Sequence, residues 1–107
     1  MNFKDLQTKN KAWLQHNFPN NTPEQAALGL AEEVGELCHA ILKISQGIRG
    51  DFDLHISEAK DAIGDITIFA TSLCNIMKLD YNEIVTETAN QVFSRDWVKY
   101  PFDGKTR

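Results

Sequence analysis

The chain is poor in cysteine, proline and glycine, with two, three and six among 107 residues. Cys38 and Cys74 stand far apart, so no disulfide framework is expected. Both fall inside helical patterns, where a free thiol behaves as a small buried hydrophobe. Long apolar runs are missing as well. None approaches the roughly 20 residues that span a bilayer. The N-terminal MNFKDLQTKNK lacks the apolar stretch of a secretory signal. The expectation is a cytoplasmic protein without a membrane partner. Positive charge is not in excess: 11 Lys and Arg face 15 Asp and Glu, for a net charge of −4. Such a balance leaves no electrostatic footprint for a nucleic-acid polymer. Alternating strand patterns are almost absent, as are repeats, low-complexity tracts and linkers, so residues 1–107 read as one domain.

What is present is helical periodicity. A first helix is predicted from near Asn2 to near His16, with Phe3, Leu6 and Trp13 close to one face. FPNNTP marks a loop. Thr22-Pro23-Glu24-Gln25 is a strong helix start, with an N-cap threonine, proline at the first helical position and a capping-box glutamine. The second helix runs to about Ser45, with Leu30, Val34, Leu37, Ile41 and Ile44 as its core stripe. SQGIRGDFD ends it. A third helix begins between Asp53 and Ser57 and ends near Lys78, with a stripe from Ala59 and Ala62 through Ile63, Ile66, Phe69, Ala70, Leu73 and Met77. The fourth starts at Asp80, with Glu83 as its capping-box partner, and runs to about Trp97. YPFDGKTR has no regular pattern. The fold class is all-α, a four-helix bundle. The long stripes of the second and third helices predict that homo-oligomerisation covers them.

LAEEVGELCHA, residues 30–40, sets three glutamates within five positions. Like charges spaced i,i+4 repel by a few tenths of a kcal/mol, so something must make them tolerable. At about 100° per residue, Glu33 lies about 60° from the Leu30, Leu37 and Ile41 direction, and Glu36 about 120° to the same side. Glu32 points roughly away from the core. Gly29 and Ala40 lie beside them and leave room for a ligand. On the third helix, Glu58, Asp61 and Asp65 lie roughly 80° to 140° from Ile66 and Leu73. Antiparallel packing would set two acidic edges across one groove. Semi-buried carboxylates are costly unless a cation or protons compensate. All-oxygen ligands suit Mg²⁺ or Mn²⁺. A solvated acidic edge explains the same spacing without a metal.

EEVGEL, followed about twenty residues later by EAKDAIGDI, resembles the MazG-type all-α nucleoside triphosphate pyrophosphohydrolases. TPEQAALGLAEEVGEL fits the run into the first motif of that family, QGIRG its interhelix loop, and RDWVKYPFDGKT the tail of several members. The resemblance implies Mg²⁺-dependent hydrolysis of a (d)NTP to the monophosphate and pyrophosphate, house-cleaning of the nucleotide pool, and a homodimer or homotetramer. It also implies a site. Glu33 and Glu36 match the Glu-x-x-Glu ligands, and Asp65 matches the terminal Asp of the Glu-x-x-Asp motif. The Glu of that second motif is replaced by Ala62. Asp61 is expected to stand in for it, with Glu58 in the outer shell or on a second metal. Asn90, Arg95 and Lys99 match the triphosphate-binding residues near the last helix.

Other roles come from the residues themselves. Glu32 is a candidate general base beside Glu33. Lys43 and Arg49 are candidate phosphate ligands, and Trp13 either stacks on a base or packs in the core. Glu36-Leu37-Cys38-His39 spells the Glu-x-x-His of di-iron carboxylate bundles, but that architecture needs a second copy of the motif. Three alternatives to the enzyme therefore stand: a catalytically weak nucleotide or metal binder, a di-iron protein, and a bundle with merely solvated acidic edges.

Overall fold

In a computed structural model, which describes residues 1–105, the chain forms four α-helices. They are α1 (Phe3–Asn17), α2 (Pro23–Gln46), α3 (Phe52–Met77) and α4 (Tyr81–Phe93). No strand occurs among the described residues. Local chemistry sets the ends. The Asn2 side chain accepts from Asp5 N–H, and Asp51 from Leu54 N–H, each capping a helix start. Thr22 and Gln25 close the reciprocal capping box. Gly47 ends α2 in the left-handed conformation, at φ 67°.

Helices α2 and α3 form an antiparallel hairpin, α1 packs on α3, and α4 on α1. The hairpin seam is built from small residues. Ala26 and Ala40 on α2 and Ala59 and Ala62 on α3 are all buried. Gly29 admits the ring of Phe69: a Cβ built there would lie 2.7 Å from Phe69 Cδ1. The space beside Gly29 is therefore filled by the fold rather than left for a ligand, and Ala40 is likewise sealed. The seam is also rotated from the expected stripe. Leu30, Leu37 and Ile44 are half-buried, but Val34 and Ile41 are exposed. Ile63 and Met77 are exposed on α3. Cys74 is buried whereas Cys38 is exposed, and both are free.

A polar network fixes α1 on α3. Asn10 is buried, donates to Ser72 Oγ at 3.1 Å and accepts from Asn75 Nδ2 at 2.9 Å. Gln7 donates to Leu79 O at 2.7 Å and accepts from Tyr81 N–H at 2.9 Å. It thus ties α1 to the start of α4. Leu14 is the buried apolar residue of α1; Trp13 is half exposed.

Helix α4 stops at Phe93 rather than near Trp97. Asp96 turns the chain, its Oδ1 accepting from the N–H groups of Val98 and Lys99. Asp96 N–H then donates to Gly104 O, and Gly104 N–H to Tyr100 O, each at 2.8 Å. Gly104 has φ 71°, and a Cβ there would lie 2.8 Å from Arg95 Cβ. Among the described residues, no single helix is long and apolar enough to cross a membrane.

Candidate metal centre

Three carboxylates meet on α2. One oxygen from each of Glu32, Glu33 and Glu36 lies within 4.8 Å of the other two. The i, i+1, i+4 spacing on one helix brings them together. Glu32 and Glu36 are exposed, but Glu33 is half-buried because the seam is rotated toward it. Its Oε2 is shielded from solvent and has no hydrogen-bond partner. Burial, first of all, pushes the Glu33 carboxyl up from 4.5 to about 7. A hydrogen bond with Glu36 and the charges of Glu36, Asp65 and Glu32 push the same way.

Asp65 is half-buried on α3, close enough for its charge to act on Glu33. This gives the register of the hairpin. Gly29 meets Phe69 and Glu33 faces Asp65, so one turn further along α2 Glu36 comes opposite Ala62. A buried methyl therefore occupies the rung facing Glu36, with Ala62 only 2% exposed. Asp61 is exposed and lies outside the group of three. Glu58 is turned toward His55, whose Nδ1 lies 3.8 Å from Glu58 Oε2. His55 is itself buried, with Nε2 3.0 Å from Ile48 O.

The remaining candidates are spread over the molecule. Trp13 lines a cavity of about 290 Å³ with Met1, Leu6, Lys9, Asn10 and Ile68. On α3, Ile68 follows Asp65 by three residues, ~4.5 Å of axial rise. Lys43 donates to Gln46 Oε1 at 2.8 Å, and Arg49 holds a left-handed backbone, at φ 63°. Asn90 is exposed on α4. Arg95 borders an open hollow with Gln91, Ser94 and Lys105, and Lys99 Nζ stands 5.5 Å from the centroid of the Tyr100 ring. Among the described residues, no hydrogen bond or ion pair joins any of these cations to the glutamates. His39 is exposed and stands outside the glutamate group.

Sequence reasoning missed the buried His55 and the Asn10–Asn75–Ser72 network. Both belong to polar residues on otherwise apolar helix faces, a pattern that can be read when the facing helix is known. No family model, no curated protein and no solved structure matches this chain.

Proposed function

We propose that the chain is a Mg²⁺-dependent nucleoside triphosphate pyrophosphohydrolase of the MazG-like kind, acting as a homo-oligomer on (d)NTPs. One observation carries this reading: the half-buried Glu33 carboxyl has its Oε2 shielded and without a hydrogen-bond partner and is pushed up to about 7, with the charges of Glu36, Asp65 and Glu32 acting on it. A cation beside a group held in that state would favour its ionised form. An oxygen-only donor set fits a hard divalent ion, so the residues present suit Mg²⁺ or Mn²⁺.

Glu33 and Glu36 would hold the ion from α2, and Asp65 from α3. Asp61, in place of the carboxylate absent at Ala62, is the weaker member, because Ala62 occupies the facing rung. A bound divalent ion supplies neutralisation of the charge on the α-phosphoryl group. The chain's own contribution is positioning and proton transfer. Glu32, exposed beside Glu33, accepts the proton from the attacking water. The water oxygen bonds to the α-phosphorus, the bond from that phosphorus to the bridging oxygen breaks, and pyrophosphate leaves with that oxygen. The cavity lined by Trp13 and Ile68 is an apolar seat for the base.

The test is incubation of each NTP and dNTP with Mg²⁺, with products separated by ion exchange. Wild type should give monophosphate and pyrophosphate, and Asp65→Asn should lower turnover by at least ~10²-fold. Diphosphate plus phosphate would refute the proposed bond cleavage. The methyl of Ala62 favours a second reading, a nucleotide or metal binder with little turnover. Folded protein that binds Mn²⁺ and yields no product would select it.

A further inference from the structure

Where α3 ends, three lysines gather, although the chain as a whole carries a net charge of −4. Lys4 and Lys11 stand on one face of α1, ~10.5 Å apart along its axis. Lys78 comes from the end of α3. Together they line an open hollow of about 450 Å³. The carboxylate that borders it, Asp80, caps α4, its Oδ1 accepting from Glu83 N–H. Among the described residues, no ion pair engages any of the three lysines.

The floor of the hollow is a closed amide network. Gln7 Nε2 donates to Asn75 Oδ1 at 3.1 Å and to Leu79 O at 2.7 Å. Asn75 Nδ2 donates to Gln7 O at 3.0 Å and to Asn10 Oδ1 at 2.9 Å. Thr8 Oγ1 donates to Lys4 O. A satisfied network of this kind is rigid. Its donors are spent, so the ammonium groups are what the side chains of the hollow have left to offer a ligand. Lys78 is held there against its backbone preference. It ends α3 in the left-handed conformation, at φ 58°, the role that Gly47 fills for α2. Glycine takes that conformation freely and lysine does not.

A second hollow, of about 240 Å³, adjoins the first, since Lys11 and Asn75 line both. Leu14, Phe18, Pro19 and Ile76 supply its apolar walls. The two make one groove, cationic at one end and apolar at the other. Asn75 follows Asp65 by ten residues, ~15 Å of rise along α3. The groove is thus separate from the glutamate group, none of whose members lines it.

We infer that this groove binds a small phosphate monoester with an apolar or aromatic body. The phosphate, close to dianionic at neutral pH, sits among Lys4, Lys11 and Lys78, which act on it as point charges. The body lies against Leu14, Phe18 and Ile76. This site does not depend on the reaction proposed at the glutamates.

The test is to titrate phenyl phosphate, inorganic phosphate and phenol separately into the ¹⁵N-labelled, metal-free protein and follow the backbone amides. Phenyl phosphate should shift Thr8, Lys11, Phe18 and Leu79 to saturation. It should bind at least ~5-fold more tightly than inorganic phosphate, because its ring buries apolar surface. Lys11→Gln and Lys78→Gly should each weaken it by about 3- to 10-fold. Lys60→Gln, the same loss of charge elsewhere on α3, should leave it unchanged. Lys78→Gly should not lower the melting temperature, since glycine suits the left-handed cap. If it melts lower, Lys11→Gln decides alone, because Lys11 is exposed on its helix. Unaltered binding in Lys11→Gln would overturn the site. So would equal affinity for phosphate and phenyl phosphate, phenol binding as tightly, shifts centred on Arg95 and Lys99, or no shift at all.

Discussion

Glu33 is where residue-level chemistry gives the sharpest expectation. Its carboxyl titrates near 4.5 when unfolded and near 7 when folded. Between those values the folded chain binds more protons than the unfolded one, so stability falls as pH rises through this window and levels off above it. The melting temperature of the metal-free protein should therefore drop between about pH 4.5 and 7. Mn²⁺ should raise it more at pH 8 than at pH 5, because below pH 7 the ion competes with the proton. Glu33→Gln should flatten both trends in a melting series, whereas an unchanged slope in that variant would place the titration elsewhere. Ala62→Glu tests the facing rung. Without metal, a carboxylate at this buried position should destabilise by a few kcal/mol, and saturating Mn²⁺ should restore much of the loss. A melting curve indifferent to Mn²⁺ would mean that position 62 does not face the site. The spacing of Glu33 and Glu36 was legible in the sequence. So was the half-buried setting of Glu33, about 60° from the expected core direction; the exposure of Val34 and Ile41 was not, because they look like core residues until alanines take the seam.

Among the helices, ends were more legible than faces. Thr22 and Gln25 announce their own capping box, and Asp80 its cap, because those bonds are local. Which side of a helix is buried depends on its neighbour, and here small residues decide it. Gly29 shows the balance. Alanine in a helix interior gains ~1 kcal/mol over glycine, but the added methyl would meet Phe69 well inside van der Waals contact. Overpacking costs about 1–3 kcal/mol, and Phe69 is hemmed in at a half-buried seam. Gly29→Ala should therefore destabilise by a net ~1 kcal/mol in urea titration and loosen the Glu33–Asp65 register. A stabilised variant would mean that Phe69 swings clear. The shortened α4 has a similar cause. Val92 and Phe93 continue the helical pattern by spacing, yet Asp96 accepts from the N–H groups of Val98 and Lys99 and turns the chain, in a turn closed by Gly104 eleven residues after Phe93.

Across the whole molecule, the single chain leaves too much apolar surface in water. Its radius of gyration is 17.3 Å, against about 13 Å for a compact chain of this length. The buried apolar residues are Leu14, four alanines and Cys74, while Val34, Ile41, Ile63, Phe93, Trp97 and Val98 stand exposed. Fully burying one Val, Leu, Ile or Phe contributes about 1.5–3 kcal/mol, and alanine much less. A monomer built on alanines would sit close to the limit of stability for small domains. Association of copies, as proposed above, would cover the larger apolar side chains and couple folding to assembly. When folding and assembly are linked, apparent stability depends on protomer concentration. The melting temperature should climb as the protein is concentrated from about micromolar to hundreds of micromolar, in step with oligomer formation in sedimentation. Ile63→Asp, a charge within the exposed stripe, should lower the melting temperature and remove its concentration dependence while leaving a helical, monomeric chain at high concentration. A melting temperature flat across that range in the wild type would show instead that the six buried apolar residues and the Asn10 network suffice, and that the exposed stripes serve something other than a second copy.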